Sequence, residues 1–170
     1  ISIDKRGGRT IVDTSSGNDT ISISGSNTDV NADMGAGRDT VIVNAEESNI
    51  ELDLGRGDDS VRLLGDAITG EIDLGAGKDT IELAGEGSED LVIQTGSGAD
   101  IVKVSKDITG TFVIENNGSG EFDKIQFEGL NSDWTMTREG NDRVYTNKAT
   151  GGKVVLKNEF LLDRTYEYYD

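Results

Sequence analysis

The feature that most constrains this chain is a short pattern that returns about every twenty residues. In its full form it reads Gly-x-Gly-x-Asp, and an apolar residue follows two positions later. Its aspartates are spaced 20, 20, 20 and 21 residues apart, and they are Asp19, Asp39, Asp59, Asp79 and Asp100. A unit of this length cannot bury an apolar face alone, so successive copies are expected to stack on one another.

Each repeat predicts two short strands joined by two turns. Residues 50–54 alternate, which places Ile50, Leu52 and Leu54 on one face, and an alternating segment also follows each aspartate. Stacking such units predicts an all-β fold, a right-handed parallel β-roll or β-helix of about six 20-residue coils with a C-terminal β cap. We assign residues 1–121 to the roll and residues 122–170 to the cap.

Composition excludes several classes of function. The formal charge of −17 disfavours nucleic acid and anionic lipid as partners. The chain has no cysteine and no histidine, so thiolate nucleophiles, disulfides and the usual zinc ligands are absent. No apolar run is long enough for a membrane span, and no signal peptide opens the chain. The start at Ile1 instead of Met suggests a piece of a longer polypeptide.

Stacking in register also has an electrostatic consequence. The motif aspartates would lie above one another, and so would a second column, Asp13, Asp33, Asp53 and Asp73. Residues 1–110 carry 22 acidic and 9 basic residues, so the negative charge is concentrated in the repeats. Like charges placed opposite each other are destabilising, which predicts a bound cation.

The available ligands select the ion. Carboxylates and glycine-turn carbonyls are oxygen donors that suit Ca²⁺ better than Mg²⁺, zinc or copper. Six turns leave five gaps between them, so we expect about four or five calcium ions. The residues predicted to form these sites are Gly17, Asp19, Gly35, Gly37, Asp39, Gly55, Gly57, Asp59, Gly75, Gly77, Asp79, Gly96, Gly98, Asp100 and, in an irregular sixth copy, Gly118, Gly120 and Asp123.

The motif resembles the calcium-binding nonapeptide of the repeats-in-toxin (RTX), or haemolysin-type, family, Gly-Gly-x-Gly-x-Asp-x-apolar-x. Gly35, Gly37 and Asp39 match its second glycine, third glycine and aspartate, and the next three copies match likewise. The first glycine is replaced in every copy, by Thr14, Met34, Leu54, Leu74 and Thr95. Only one turn per coil carries the motif, so the resemblance implies one row of calcium ions where the family usually has two.

The resemblance continues into the C-terminal part. Residues 122–130 and 134–145 are similar to the segments that end such blocks, and residues 153–160 resemble the closing strand and the start of a short helix. It implies a calcium-folded structural block of a larger secreted bacterial protein, a toxin, adhesin or exoenzyme, that leaves the cell by type I secretion. Its partners would be the remainder of that polypeptide and a possible cell-surface glycan or protein.

Other interpretations remain open from sequence alone. The motif aspartates could form turns without an ion, and the second aspartate column could be a solvated outer face. A carbohydrate-binding or adhesive module would use the aromatic residues Trp134, Tyr145, Tyr166, Tyr168 and Tyr169. A polysaccharide-acting enzyme would use an outward column of Arg62, Glu82 and Lys103. No pair of these residues stands out from the repeat, so we expect no catalysis.

Overall fold

A computed structural model of the chain describes residues 1–116 and 123–158. This part of the chain is nearly all β and forms a β-solenoid of about six turns, which confirms the predicted fold class. One 3-10 turn, Asn131–Asp133, is present, and no helix among the described residues is long and apolar enough to cross a membrane.

Two sheets make up the solenoid. Sheet A contains, in spatial order, β1 (Ser2–Arg6), β3 (Thr20–Ser26), β5 (Thr40–Glu46), β7 (Ser60–Leu63), β9 (Thr80–Leu83), β12 (Ile101–Val104) and β14 (Lys124–Phe127). Sheet B contains β2 (Arg9–Asp13), β4 (Asp29–Asp33), β6 (Asn49–Asp53), β8 (Thr69–Asp73), β11 (Leu91–Gln94), β13 (Thr109–Glu115), β17 (Lys153–Leu156), β16 (Asp142–Asn147) and β15 (Trp134–Glu139). A short strand, β10 (Glu86–Gly87), pairs with β13.

Each strand of the coils pairs in parallel with its own copy one coil further on. In sheet A, Val41 pairs with Val61 and Val61 with Ile81. In sheet B, Leu52 pairs with Ile72. The alternation read from the sequence therefore places like residues above like, and the chain crosses from sheet B to sheet A at the Gly-x-Gly-x-Asp segment.

The core is a thin column of aliphatic side chains between the two sheets. Its members include Ile50, Leu52 and Leu54, which are at most 3% exposed, as their alternation predicted. Sheet A contributes Val41 and Val43, also fully buried. Small branched residues fit this interior because the two sheets face each other closely along the whole stack.

The cap differs from the coils because its strands are antiparallel. β15 pairs with β16 and β16 with β17, whereas β17 pairs in parallel with β13 of the last coil. Phe127 packs against Trp134 and Tyr145 with ring centroids 4.6 and 4.9 Å apart. The hairpin thus continues sheet B and carries an aromatic cluster. The short helix expected near residue 160 lies outside the described residues.

One coil is one residue longer than the coils before it and still stacks in register. Asp79 and Asp100 are 21 residues apart, yet Ile101 pairs with Thr80 and Leu91 with Gly70. Both sheets of this coil therefore keep their register. The extra residue is accommodated between β9 and β11, away from the motif.

Candidate metal centre

We call the Gly-x-Gly-x-Asp segment of each coil the motif turn. Its first glycine adopts a backbone conformation that other residues avoid, with φ of +77° at Gly55 and +83° at Gly75. A Cβ atom on Gly55 would lie 1.9 Å from the carbonyl oxygen of Gly35 in the preceding coil. Glycine is required because the turns stack backbone against backbone.

The second glycine brings two kinds of oxygen together. A Cβ on Gly57 would lie 1.4 Å from the Gly37 carbonyl oxygen and 3.1 Å from Oδ1 of Asp59. Among the described residues, no hydrogen bond is donated to the carbonyl oxygens of Gly37 and Gly57. The Gly37 carbonyl oxygen, which accepts no hydrogen bond among the described residues, therefore lies near Asp59 of the next coil.

The motif aspartates point into the solenoid. Asp39, Val41 and Val43 alternate with more exposed residues, so the carboxylate lies on the same inner face as the core. The internal members of the column are at most 3% exposed, and they are Asp39, Asp59, Asp79 and Asp100. Asp19, in the first motif turn, is only partly buried.

A single repeated hydrogen bond links these carboxylates into what we call the aspartate ladder, Asp19, Asp39, Asp59, Asp79, Asp100 and Asp123. In each coil, Oδ1 accepts the backbone N–H of the aspartate one coil earlier. The N···O distance is 2.7 Å from Asp19 to Asp39, 2.6 Å from Asp39 to Asp59 and 2.7 Å from Asp59 to Asp79. It is 2.8 Å from Asp79 to Asp100. These hydrogen bonds fix the carboxylate groups of Asp39, Asp59, Asp79 and Asp100, whereas Asp19, the first member, takes part through its backbone N–H.

The second carboxylate oxygen has no such partner. Within the described part of the chain, Oδ2 is buried without a hydrogen bond in Asp39, Asp59, Asp79 and Asp100. A buried polar atom without a partner costs about 1–3 kcal/mol, and more where the group is charged. Four such atoms in one column make the ladder a candidate site for a positively charged ligand.

The buried position makes ionisation of these groups unfavourable. Burial raises the pKa of Asp79 from its ordinary 3.8 to about 7 and that of Asp100 to about 6, and it also raises the pKa of Asp59. Neighbouring aspartates of the ladder add to the rise for Asp79 because their like charges disfavour a further negative charge. A bound cation or bound protons would relieve this cost.

The carboxylate and carbonyl oxygens of the ladder and the motif turns suit a hard cation that can be coordinated by backbone oxygens. Among residues 1–116 and 123–158, no three acidic side chains converge into a single group. An ion in the ladder must therefore combine carboxylate oxygens with carbonyl oxygens of the motif turns. Oxygen-only coordination in a flexible backbone cage suits Ca²⁺, since Mg²⁺ requires a tighter octahedron.

The remaining residues predicted for the metal site have mixed outcomes. Gly17, Gly35, Gly37, Gly55, Gly57, Gly75, Gly77, Gly96 and Gly98 lie in the stacked motif turns. Gly118 and Gly120 lie outside the described residues. Asp123 joins the ladder, because its Oδ1 accepts the backbone N–H of Asp100 at 3.2 Å.

The second aspartate column lies on the outer face of sheet B. Asp13, Asp33 and Asp53 pair in register, and all three are exposed. Oδ1 of Asp53 accepts the backbone N–H of Gly55 at 3.0 Å. These residues shape the entry to the motif turn and remain in contact with solvent, at a distance from the buried ladder.

The structure also shows the surroundings of several residues on which the enzyme and carbohydrate-binding interpretations depend. Arg62, Glu82 and Lys103 form the expected outward column, and the Arg62 guanidinium contacts the Glu82 carboxylate at 2.8 Å. Trp134 and Tyr145 are only 7% and 4% exposed, so they belong to the cap core and offer no open stacking surface. Tyr166, Tyr168 and Tyr169 lie outside the described residues.

Sequence analysis missed the inward orientation of the ladder. The signal was available, because Asp39 and the apolar residues Val41 and Val43 are two positions apart and must share a face in a strand. The ladder hydrogen bonds and the unpartnered Oδ2 atoms could not be read from the sequence, since they depend on the exact stacking distance of the motif turns.

Comparison with known proteins adds no family assignment: no protein-family model matches the chain, and no curated protein matches it significantly.

Proposed function

We propose that this chain is a calcium-binding structural block whose folding depends on calcium. The observation that supports the proposal best is the column of buried aspartates with a second carboxylate oxygen that lacks a partner. The Gly37 carbonyl oxygen, which accepts no hydrogen bond among the described residues, lies near Asp59, and it and the corresponding carbonyl oxygens of the other motif turns would supply the other ligands. The ions would be held by the motif turns, from the turn that contains Gly17 and Asp19 to the turn that contains Gly98 and Asp100.

A cation accounts for the ladder better than protons do. Near neutral pH, Asp100, with a pKa of about 6, is mostly ionised, and Asp79, with a pKa of about 7, is about half ionised. Stacked carboxylates that ionise in an apolar interior repel one another, and the repulsion is removed most fully by a divalent ion between them. The proton-bound ladder is the alternative that an experiment must exclude.

Calcium binding would then act as a folding switch. Ordering the backbone costs about 1–2 kcal/mol per residue, and the thin core offsets only part of it. Each ion contributes about 2.7 kcal/mol when free calcium is a hundredfold above its dissociation constant. Four ions would contribute about 11 kcal/mol, which is comparable to the stability of a whole domain.

The resemblance to RTX repeats suggests where such a switch is useful. A chain that stays unfolded at low calcium and folds at high calcium suits a secreted bacterial protein that leaves the cell by type I secretion. In this proposal the block is a folding trigger or spacer within a larger toxin, adhesin or exoenzyme, and it performs no catalysis itself.

A calcium titration of chelator-treated protein tests the proposal. We expect several ions to bind by calorimetry, with the far-UV circular dichroism of a β-solenoid developing over the same range of calcium. Magnesium at equal concentration is the matched control, and it should give much weaker binding and little structure. A far-UV spectrum that is native in strong chelator and unchanged by calcium would show that the proposal is wrong.

A further inference from the structure

The last member of the aspartate ladder differs from the others in its second carboxylate oxygen. Oδ2 of Asp123 accepts a hydrogen bond from Oγ1 of Thr95 at 2.9 Å and a second one from Nδ2 of Asn116. Asp123 and Thr95 are 7% and 1% exposed, so this arrangement is nearly as buried as the rest of the ladder. The protein itself supplies the partners that the four internal aspartates lack.

The donors come from one position of the coil, the residue that directly follows the sheet B strand of that coil. We call these residues the pre-turn column, and they are Thr14, Met34, Leu54, Leu74, Thr95 and, one coil later, Asn116. The three central members are fully buried hydrophobic side chains. They offer no hydrogen-bond donor, which explains why the neighbouring Oδ2 atoms of Asp59 and Asp79 have no partner.

A hydroxyl group at this position is not sufficient by itself. Thr14 occupies the same place in the first coil, but its Oγ1 donates to the carbonyl oxygen of Met34 at 2.8 Å. Oδ2 of Asp39, in the next coil, is left without a partner. The combination of Thr95 with the Asn116 amide therefore distinguishes the last step of the ladder.

Donors and cations compete for the same carboxylate oxygen. Two groups that point their hydrogen atoms at Oδ2 of Asp123 occupy its lone pairs and present positive partial charge where an ion would bind. Building on the proposed calcium-binding function, we infer that Thr95 and Asn116 close the ladder at Asp123 without metal. The chain then binds four ions, one for each unpartnered oxygen, and none at Asp123.

Native mass spectrometry of the full chain in excess calcium counts the ions directly. We expect four ions for the wild type and four for Asp123→Asn, whereas Asp59→Asn, the same isosteric change inside the ladder, should bind fewer. Five ions in the wild type, falling to four in Asp123→Asn, would overturn the inference and leave the proposed function intact. A wild type that binds no calcium would overturn the proposed function itself.

Removing the two donors should create a site. Thr95→Val combined with Asn116→Ala removes both of these hydrogen bonds to Oδ2 of Asp123, and we expect the ion count to rise from four to five. Thr14→Val is the matched control and should stay at four, because Thr14 does not contact the ladder through its hydroxyl. A double variant with a native circular dichroism spectrum and only four ions would contradict the inference. If the double variant does not fold, the comparison of Asp123→Asn with Asp59→Asn decides.

Discussion

Each coil has two turns, and they accommodate buried polar side chains in different ways. One is the motif turn, and the other, which we call the opposite turn, leads from the sheet A strand to the sheet B strand. Both return the chain from one sheet to the other and both bury polar side chains. In the opposite turn, Ser48 accepts the backbone N–H of Thr28 at 3.2 Å and donates to the Glu46 carbonyl at 2.8 Å, and Thr28 donates to Gly8 at 3.2 Å. In the motif turn, by contrast, every internal aspartate keeps an oxygen without a partner.

The difference shows where dependence on an ion arises. A neutral hydroxyl group can be buried in a turn without an ion because it both donates and accepts hydrogen bonds. An apolar residue such as Ile68 can take its place in a later coil. An ionised carboxylate only accepts, so a stack of them needs an external positive group. Calcium dependence should therefore belong to one edge of the solenoid.

The largest expected loss of stability comes from a steric clash introduced into the motif turn. Gly55→Ala places a Cβ 1.9 Å from the Gly35 carbonyl oxygen and should cost more than about 4 kcal/mol of stability. Gly8→Ala, in the opposite turn, also has a positive φ, +87°, but meets nothing within 4 Å. It should cost only about 1–2 kcal/mol. Urea unfolding in excess calcium measures both, and equal losses would contradict the close stacking of the motif turns.

The next effect removes one charge from the ladder. Asp59→Asn should lower the free energy of unfolding in excess calcium by about 2.7 kcal/mol, the contribution of one ion. Without calcium the same variant should be at least as stable as the wild type, because a buried repulsion has been removed. Thermal unfolding in excess calcium, and in chelator with an excluded osmolyte added so that the calcium-free chain is folded, measures this reversal.

The control for that variant lies in the outer aspartate column. Asp53→Asn makes the same change of charge at an exposed position and should alter stability by less than about 0.5 kcal/mol in either condition. A loss in Asp59→Asn that is the same with calcium and with chelator would mean that the ladder is a purely structural feature.

A smaller effect concerns pH in the absence of calcium. The folded-state pKa values of Asp79 and Asp100 are raised from 3.8 to about 7 and about 6, so the folded state binds protons more tightly than the unfolded state. Their contribution to stability is then complete below pH 4 and is lost as the pH rises to about 7. In chelator, with an excluded osmolyte added so that the calcium-free chain is folded, the melting temperature should fall over this range, and it should fall less in Asp79→Asn. Excess calcium should abolish this fall in the wild type, and a wild type that keeps the same pH dependence in excess calcium would count against ion binding at Asp79.

The smallest effect tests the opposite turn. Ser48→Ala removes the hydrogen bond to Glu46 and leaves the backbone N–H of Thr28 without its acceptor. We expect a loss of about 1 kcal/mol that is the same with and without calcium, with no change in the number of bound ions. A drop in calcium affinity on calorimetric titration would show that the two turns are coupled.

The sequence predicted the architecture because the architecture is periodic. A spacing of 20 residues and the alternation at Ile50, Leu52 and Leu54 are enough to give two parallel sheets and a narrow aliphatic core. The details of the ladder were not predictable, because the fate of each carboxylate oxygen depends on a residue elsewhere in the stack. The Oδ2 atom of Asp123 differs from that of Asp59 because Thr95 and Asn116 donate hydrogen bonds to it. Those two contacts depend on how three coils stack.

The long coil between Asp79 and Asp100 has a practical consequence. Its extra residue leaves the pairing of Ile101 with Thr80 and of Leu91 with Gly70 intact. The exposed segment between β10 and β11, which contains Glu89 and Asp90, is thus a natural point for insertions, and a foreign epitope or peptide tag grafted there should leave the pairing of β10 with β13 and the motif turns undisturbed.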